Sequence, residues 1–201
     1  MLFYFSLVIL ILTIGASLFW RRSFGNLRIT NLVRIYEYIF LIVIVLIFIL
    51  LFYQSWQQYQ FWSRDEVSQF LLPPYQSINY FIFYAIARFF APYLISLAVA
   101  ILFLFSAKAL NKKYQERFFK PEEPYFGAIA IFLTGHPGWL FYLVILIFIY
   151  LVLHLSLVIG QLSIVKGNRI SLYYLWLPTG IFVIIIQRWL ELLPLWSLLK
   201  I

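Results

Sequence analysis

The sequence predicts an all-α fold: a polytopic integral membrane bundle forming one domain over residues 1–201, with six (or five) transmembrane spans, a kinked third span and a short fourth. Three observations carry this. Hydrophobic residues make up 65% of the chain and charged residues only 11%, against about 25% charged in soluble domains. Seven Asp and Glu with fifteen Lys and Arg cannot cover a soluble core of this size. The apolar residues fall into runs of the roughly 20 residues that cross a bilayer, and the basic residues collect in short segments between them.

The spans follow in order. Leu2 to Trp20 has no charge before it and Arg21 and Arg22 after it. A signal peptide has the reverse flank and a small-residue cleavage site, so a retained first span with its N-terminus outside is expected. A basic loop through Arg28 and Arg34 precedes span two, about Ile35 to Tyr53, with Trp56 and Tyr59 marking its far interface. Gln54 to Ser77 is polar, and Ser63 three residues before Glu66 matches a helix-capping box. A short surface helix ended by Pro73 and Pro74, or a wet loop with aromatic anchors, fits this stretch. Span three lies within Ile78 to Ala107. Pro92 has no N–H for the Arg88 carbonyl, so a bend of more than about 20° is expected there.

The most basic loop follows, with Lys108, Lys112, Lys113, Arg117 and Lys120. The run Tyr125 to Thr134 spans only about 15 Å as a helix. It is bounded by Pro121-Glu122-Glu123-Pro124 and Gly135-His136-Pro137-Gly138. Trp139 to Gly160 is a full span, and the last runs from about Leu172 to Leu193. If the short run crosses, eleven Lys and Arg lie inside against two outside; if it does not, ten against three. The excess of Lys and Arg on cytoplasmic loops favours six spans, in a bacterial-type plasma membrane or an organelle inner membrane. Small-xxx-small patterns are sparse and aromatics reach 22%, which predicts a bundle sealed by large side chains or helices facing lipid and partner subunits.

The net charge of +8 belongs to these loops and forms no basic face of a folded domain, so nucleic acid is not an expected partner. The absence of cysteine excludes disulfides, thiolate metal sites and a cysteine nucleophile. Polar residues at membrane depth are costly and mark candidate functional positions. His154 heads them, suited to relaying protons or to an interhelical hydrogen bond with Ser156 and Gln161 nearby as further polar glue. His136 lies in a tight turn, eighteen residues earlier. About 27 Å of helix would separate the two histidines, far beyond the reach of one metal ion. Glu122 and Glu123 form an adjacent carboxylate pair, either an acid–base pair or a solvated helix N-terminus. Arg88 suits an anion in a cavity or an outward-snorkelling cation. Arg34 with Glu37, and Arg188 with Glu191, have the i, i+3 spacing of ion pairs. No phosphate loop, His-Glu-x-x-His or Gly-x-Ser-x-Gly motif is present.

Glu122-Glu123-Pro124, a helix containing small residues, Gly135-His136-Pro137-Gly138-Trp139, a long span, Arg169 and a Pro178-containing last span together form a layout of about 80 residues. This layout resembles the second half of prepilin peptidases, which are intramembrane aspartyl proteases. The resemblance implies a helical membrane fold. Their Gly-x-Gly-Asp motif is missing here, and the single aspartate, Asp65, is expected on the opposite side of the membrane, so the protease activity is not implied. The sequence thus predicts, with no catalytic, cofactor or metal residues assigned, a non-enzymatic subunit or scaffold in contact with lipid and other membrane subunits. The alternative is a small transporter or intramembrane enzyme. Convergence of Arg88, His154 and Glu122 or Glu123 on one water-filled cavity would favour the second.

Overall fold

The computed structural model describes residues 2–23, 29–115, 119–159 and 172–199. Arg28, Arg117, Gln161, Lys166, Arg169 and Lys200 lie outside them. The described residues form helices α1 (Leu2–Ser23), α2 (Ile29–Arg64), α3 (Ile78–Ala85), α4 (Ala91–Lys113), α5 (Glu123–Thr134), α6 (Gly138–Ile159), α7 (Trp176–Leu190) and α8 (Pro194–Leu199). A π turn, Ile86–Phe90, joins α3 to α4, and 3-10 turns lie at Ser68–Leu71 and Leu172–Tyr174. There is no strand among the described residues. Among the described residues, four helical segments are long and apolar enough to cross a membrane: Leu2–Phe19, Val33–Arg64, Ile78–Lys113 and Gly138–Ser156.

The short run bounded by the Glu-Glu-Pro and Gly-His-Pro-Gly segments is the centre of the molecule. All twelve residues of α5 are buried, enclosed by α1, α2, α4, α6 and α7. Pro124 stands in its first turn, where a missing N–H costs nothing. Gly135 ends it at φ +64° and ψ 176°, a conformation open essentially only to glycine. The most extensive pairing is α4 on α5. Ser96, Ala100 and Ala107 lie on the buried face of α4; the Ser96 hydroxyl donates to the Phe132 carbonyl of α5 at 3.2 Å, and Gly127 of α5 makes room for the Phe103 ring of α4. Small side chains let helix backbones approach closely where no hydrophobic effect drives association. Large side chains close the junctions around this pairing, as where Phe126 sits between Tyr36 and Tyr173 at ring distances of 4.7 and 5.1 Å. The expected seal by large side chains therefore describes the surroundings of α5, with small residues where it is approached most closely, Gly127 beneath Phe103 of α4 and Ala130 beside Gly180 of α7. Gly180 of α7 supplies a second close approach, where an added Cβ would lie 3.2 Å from Ala130 and 3.4 Å from Leu10 of α1.

Two helical paths are much longer than the spans expected within them. α2 has 36 residues, about 54 Å, and Ile78–Lys113 has the same length. They meet through Phe48 and Phe52 of α2 against Phe90 of the π turn, at 6.3 and 5.0 Å. Beyond it, Trp62, Leu72, Phe81 and Ala85 form a second small core with Tyr59 and Tyr84. The expected capping box does not form. Ser63 lies inside α2 and its hydroxyl donates to the Gln60 carbonyl at 2.9 Å. Asp65 organises the turn instead, accepting from the Ser68 N–H at 2.9 Å and the Ser68 hydroxyl at 2.6 Å.

The π turn has a chemical reason. Pro92 cannot donate to the Arg88 carbonyl, which interrupts the regular i to i−4 ladder. The backbone answers with a wider turn, in which the Ala91 N–H reaches the Ile86 carbonyl, five residues back. The Pro92 carbonyl then accepts from the His136 N–H at 3.1 Å, tying α4 to the far end of α5.

Candidate functional site

The richest polar cluster surrounds the first turn of α5. The Glu123 carboxylate is 2% exposed, and the Trp176 indole N–H donates to its Oε2 at 3.4 Å. Negative charge is favourable at this position, where the first N–H groups of the helix have no intrahelical acceptor. Trp176 is fixed in turn by the rings of Phe103 and Phe119, and its carbonyl accepts from the buried Tyr142 hydroxyl at 3.1 Å. Tyr125 is buried, and its hydroxyl accepts from the exposed Lys108 ammonium at 2.7 Å. Lys120 lies 4.9 Å from the Tyr173 ring centroid. The Asn111 side chain clasps the segment leading into α5, donating to the Phe119 carbonyl at 2.7 Å and accepting its N–H at 3.0 Å.

This arrangement anchors one helix end within an aromatic cage. Glu122 and Glu123 sit in the first turn of α5 and differ in environment, Glu122 half-buried and Glu123 enclosed. The solvated-terminus reading therefore does not hold for Glu123, because Trp176 and the body of the bundle cover it.

The other candidates lie elsewhere. His136 is at the opposite end of α5, about 18 Å away along twelve helical residues. Its Nδ1 accepts from the Trp139 indole at 3.2 Å, so the hydrogen on Nε2 faces the Leu199 carbonyl at 2.7 Å. Both ring nitrogens are thereby used to hold α8 against the start of α6. Arg88 points outward from the π turn. His154 is exposed on α6 and stacks on Tyr150, with ring centroids 6.1 Å apart and planes 13° apart. Ser156 donates to the Val152 carbonyl within the same helix. Arg88, His136, His154 and the Glu122/Glu123 pair thus occupy four separate places.

Neither expected i, i+3 ion pair forms among the described residues. Glu191 instead accepts from Gln187 one helical turn earlier, at 3.3 Å, while Arg34 and Glu37 are both exposed. Among the described residues no three His, Asp or Glu side chains are grouped to hold a metal ion. A shallow cleft of about 430 Å³ opens at the end of α2, lined by Gln57, Gln60, Phe61, Arg64 and Asp65. It includes none of the sequence candidates.

No family model, curated protein or solved structure matches the chain. The resemblance to prepilin peptidases accordingly rests on layout alone. Lys108, Asn111, Tyr125, Tyr142 and Trp176 are the site residues that sequence reasoning passed over. The available signal was an aromatic side chain with a polar tip inside or beside an apolar run, since buried Tyr and Trp usually find a hydrogen-bond partner.

Proposed function

We propose that this chain is an integral membrane protein that crosses the bilayer six times and serves as a non-catalytic subunit of a larger membrane assembly. The membrane location is supported by the four long apolar helices. The subunit reading is carried by one observation: Arg88, His136, His154 and the Glu122/Glu123 pair stand apart from one another, each engaged in local structure or turned outward. A transporter or intramembrane enzyme needs them around a common wet space.

In the six-span topology the N-terminus and the Asp65 turn are outside, while Lys108 to Lys120 face the cytoplasm. α5 and α7, with 12 and 15 residues, complete the crossings although both are shorter than the roughly 30 Å hydrocarbon core. For α5 its enclosure removes the difficulty, because backbone at membrane depth is tolerated where protein surrounds it; α7 is covered on one face and is continued by the Leu172–Tyr174 turn before it and α8 after it. A bend at Pro92 belongs to the same reading.

Purification in a mild detergent followed by mass spectrometry tests the proposal. The expected result is a reproducible set of membrane partners in fixed stoichiometry. Recovery of the chain alone, with a measurable turnover or transport activity, would overturn it.

A further inference from the structure

We propose that the face of α4 beside the first turn of α5 binds an anionic phospholipid. The headgroup phosphate would sit on a collar of lysines and tyrosines, and the acyl chains would lie along the preceding turns of α4. The inference rests on the membrane reading above.

The geometry is that of an amphiphile. Ile101, Phe105, Lys108 and Lys112 follow one another at i, i+4, i+7 and i+11, so they form one stripe of α4. All four are exposed, as are Leu102, Ala109 and Lys113 beside them. The stripe turns from apolar to cationic between Phe105 and Lys108, a step of about 4.5 Å along the axis. Lipid presents the same change at the boundary between its chains and its phosphate.

Lys108, Lys113 and Lys120 each have an aromatic neighbour. Tyr125 engages Lys108 at 2.7 Å, leaving two of its three ammonium hydrogens for another acceptor. Lys113 lies 5.5 Å from the Tyr114 ring and Lys120 4.9 Å from that of Tyr173. Among the described residues the carboxylates at this end are Glu122 and Glu123, and Glu123 is turned inward beneath Trp176; Glu116 and Arg117, between Lys113 and Lys120 in the sequence, lie outside the described residues and cancel in charge. Lys108, Lys112, Lys113 and Lys120 outnumber them on the exposed side. A zwitterionic headgroup brings its own cation to this collar, whereas an anionic one does not. Each lysine near an anionic surface contributes roughly a fivefold preference.

The test uses the full chain purified in a neutral maltoside detergent and titrated with phosphatidylglycerol, phosphatidylcholine or soluble glycerol phosphate, with the thermal unfolding midpoint as readout. Phosphatidylglycerol is expected to raise the midpoint at a concentration roughly tenfold below phosphatidylcholine, with the difference shrinking at high salt. Glycerol phosphate should leave it unmoved. The double variant Lys112→Gln/Lys113→Gln should lose most of the preference and Lys112→Arg/Lys113→Arg should keep it. Neither Lys112 nor Lys113 anchors α5, so both variants should fold. Equal responses to the two lipids, a preference intact in the Gln variant, or a response reproduced by glycerol phosphate would each overturn the lipid site while leaving the membrane reading in place. A chain that stays monodisperse without detergent or lipid would overturn both.

Discussion

Gly127 shows how little room the α4–α5–α7 junction leaves. A Cβ there would fall 2.5 and 2.8 Å from the Phe103 ring and 3.0 Å from Trp176. Both neighbours are rigid rings held by other rings, so Gly127→Ala should destabilise the protein by about 1–3 kcal/mol, the usual cost of overpacking. Gly15 is the internal control, because an added Cβ there meets nothing within 4 Å. Gly15→Ala should not destabilise the protein and should gain up to about 1 kcal/mol from the better helix propensity of Ala within α1. Thermal unfolding in detergent distinguishes the pair, and equal effects would contradict the close approach at Gly127. His154 calls for the opposite expectation from the one its position in an apolar run suggests. It is exposed and its recorded contact is a ring stack on Tyr150, so His154→Leu and His154→Asn should both stay within about 0.5 kcal/mol of the parent. A stable Asn variant that lost its partners in copurification would assign His154 to the assembly interface. The sequence marked His154 and Glu123 as polar residues in apolar surroundings, and nothing in one chain separates a lipid-facing position from an enclosed one. Helical spacing from Trp139 does not reveal which face of α6 meets α7. Trp176, 53 residues later, folds over Glu123 and helps to bury it.

At the scale of elements, the Asp65 turn is the clearest place where charge fixes local structure. The Ser68 hydroxyl and then the Ser68 N–H hold the Asp65 carboxyl below its ordinary value of 3.8. A carboxyl with a depressed folded-state value adds stability that is fully present above the unfolded value. That stability disappears as pH falls from about 3.8 through the lower folded value. Carbon-13 NMR of the side-chain carboxyl should give a midpoint under 3.8, and Ser68→Ala should raise it toward that value. An unchanged midpoint in Ser68→Ala would break the argument. The π turn makes a second prediction. Spin labels at Ile78 and Leu110 should report a shorter separation than a straight helix over the same residues. Pro92→Ala should lengthen it by restoring the regular ladder, and a distance matching a straight helix in the parent would refute the bend. The cause of this turn was legible in the sequence, since Pro92 had to leave the Arg88 carbonyl without its usual donor. The form of the response was not, because a carbonyl left without its donor does not by itself say whether the helix bends, breaks or widens its turn. The capping-box expectation failed for a related reason. Ser63 and Glu66 have the correct spacing, but α2 continues through Ser63, and the carboxylate nearest the helix end is Asp65.

For the whole molecule, the absence of native cysteine makes the topology directly testable. Single cysteines replacing Gln69 and Lys112 can be probed with an impermeant thiol reagent on intact cells. Gln69→Cys should label, while Lys112→Cys should label only after the membrane is opened. The reverse order would invert the topology, and equal labelling would remove the segment between them from the membrane. Run length and flanking charge were enough to locate the apolar helices, including the short one, expected at Tyr125 to Thr134 and found at Glu123–Thr134, while α2 and Ile78–Lys113 run well beyond the spans expected within them. Its central place was hidden, because residues suited to lipid and residues suited to a protein interior are equally apolar. The small side chains of α4 and α5 acquire meaning only once the two faces are set against each other.

The enclosure of α5 also constrains how the protein is made. A helix of twelve residues reaches only about 18 Å and has no face left for lipid, so it has no stable position in the bilayer alone. Part of its shelter, α1, α2 and α4, is synthesised before it, and α6 and α7 afterwards. Insertion of the segment into its final position must therefore wait for the ribosome to complete α7. A chain released after α6 would leave the Glu123 end without Trp176, exposing a carboxylate and an incomplete bundle to membrane quality control.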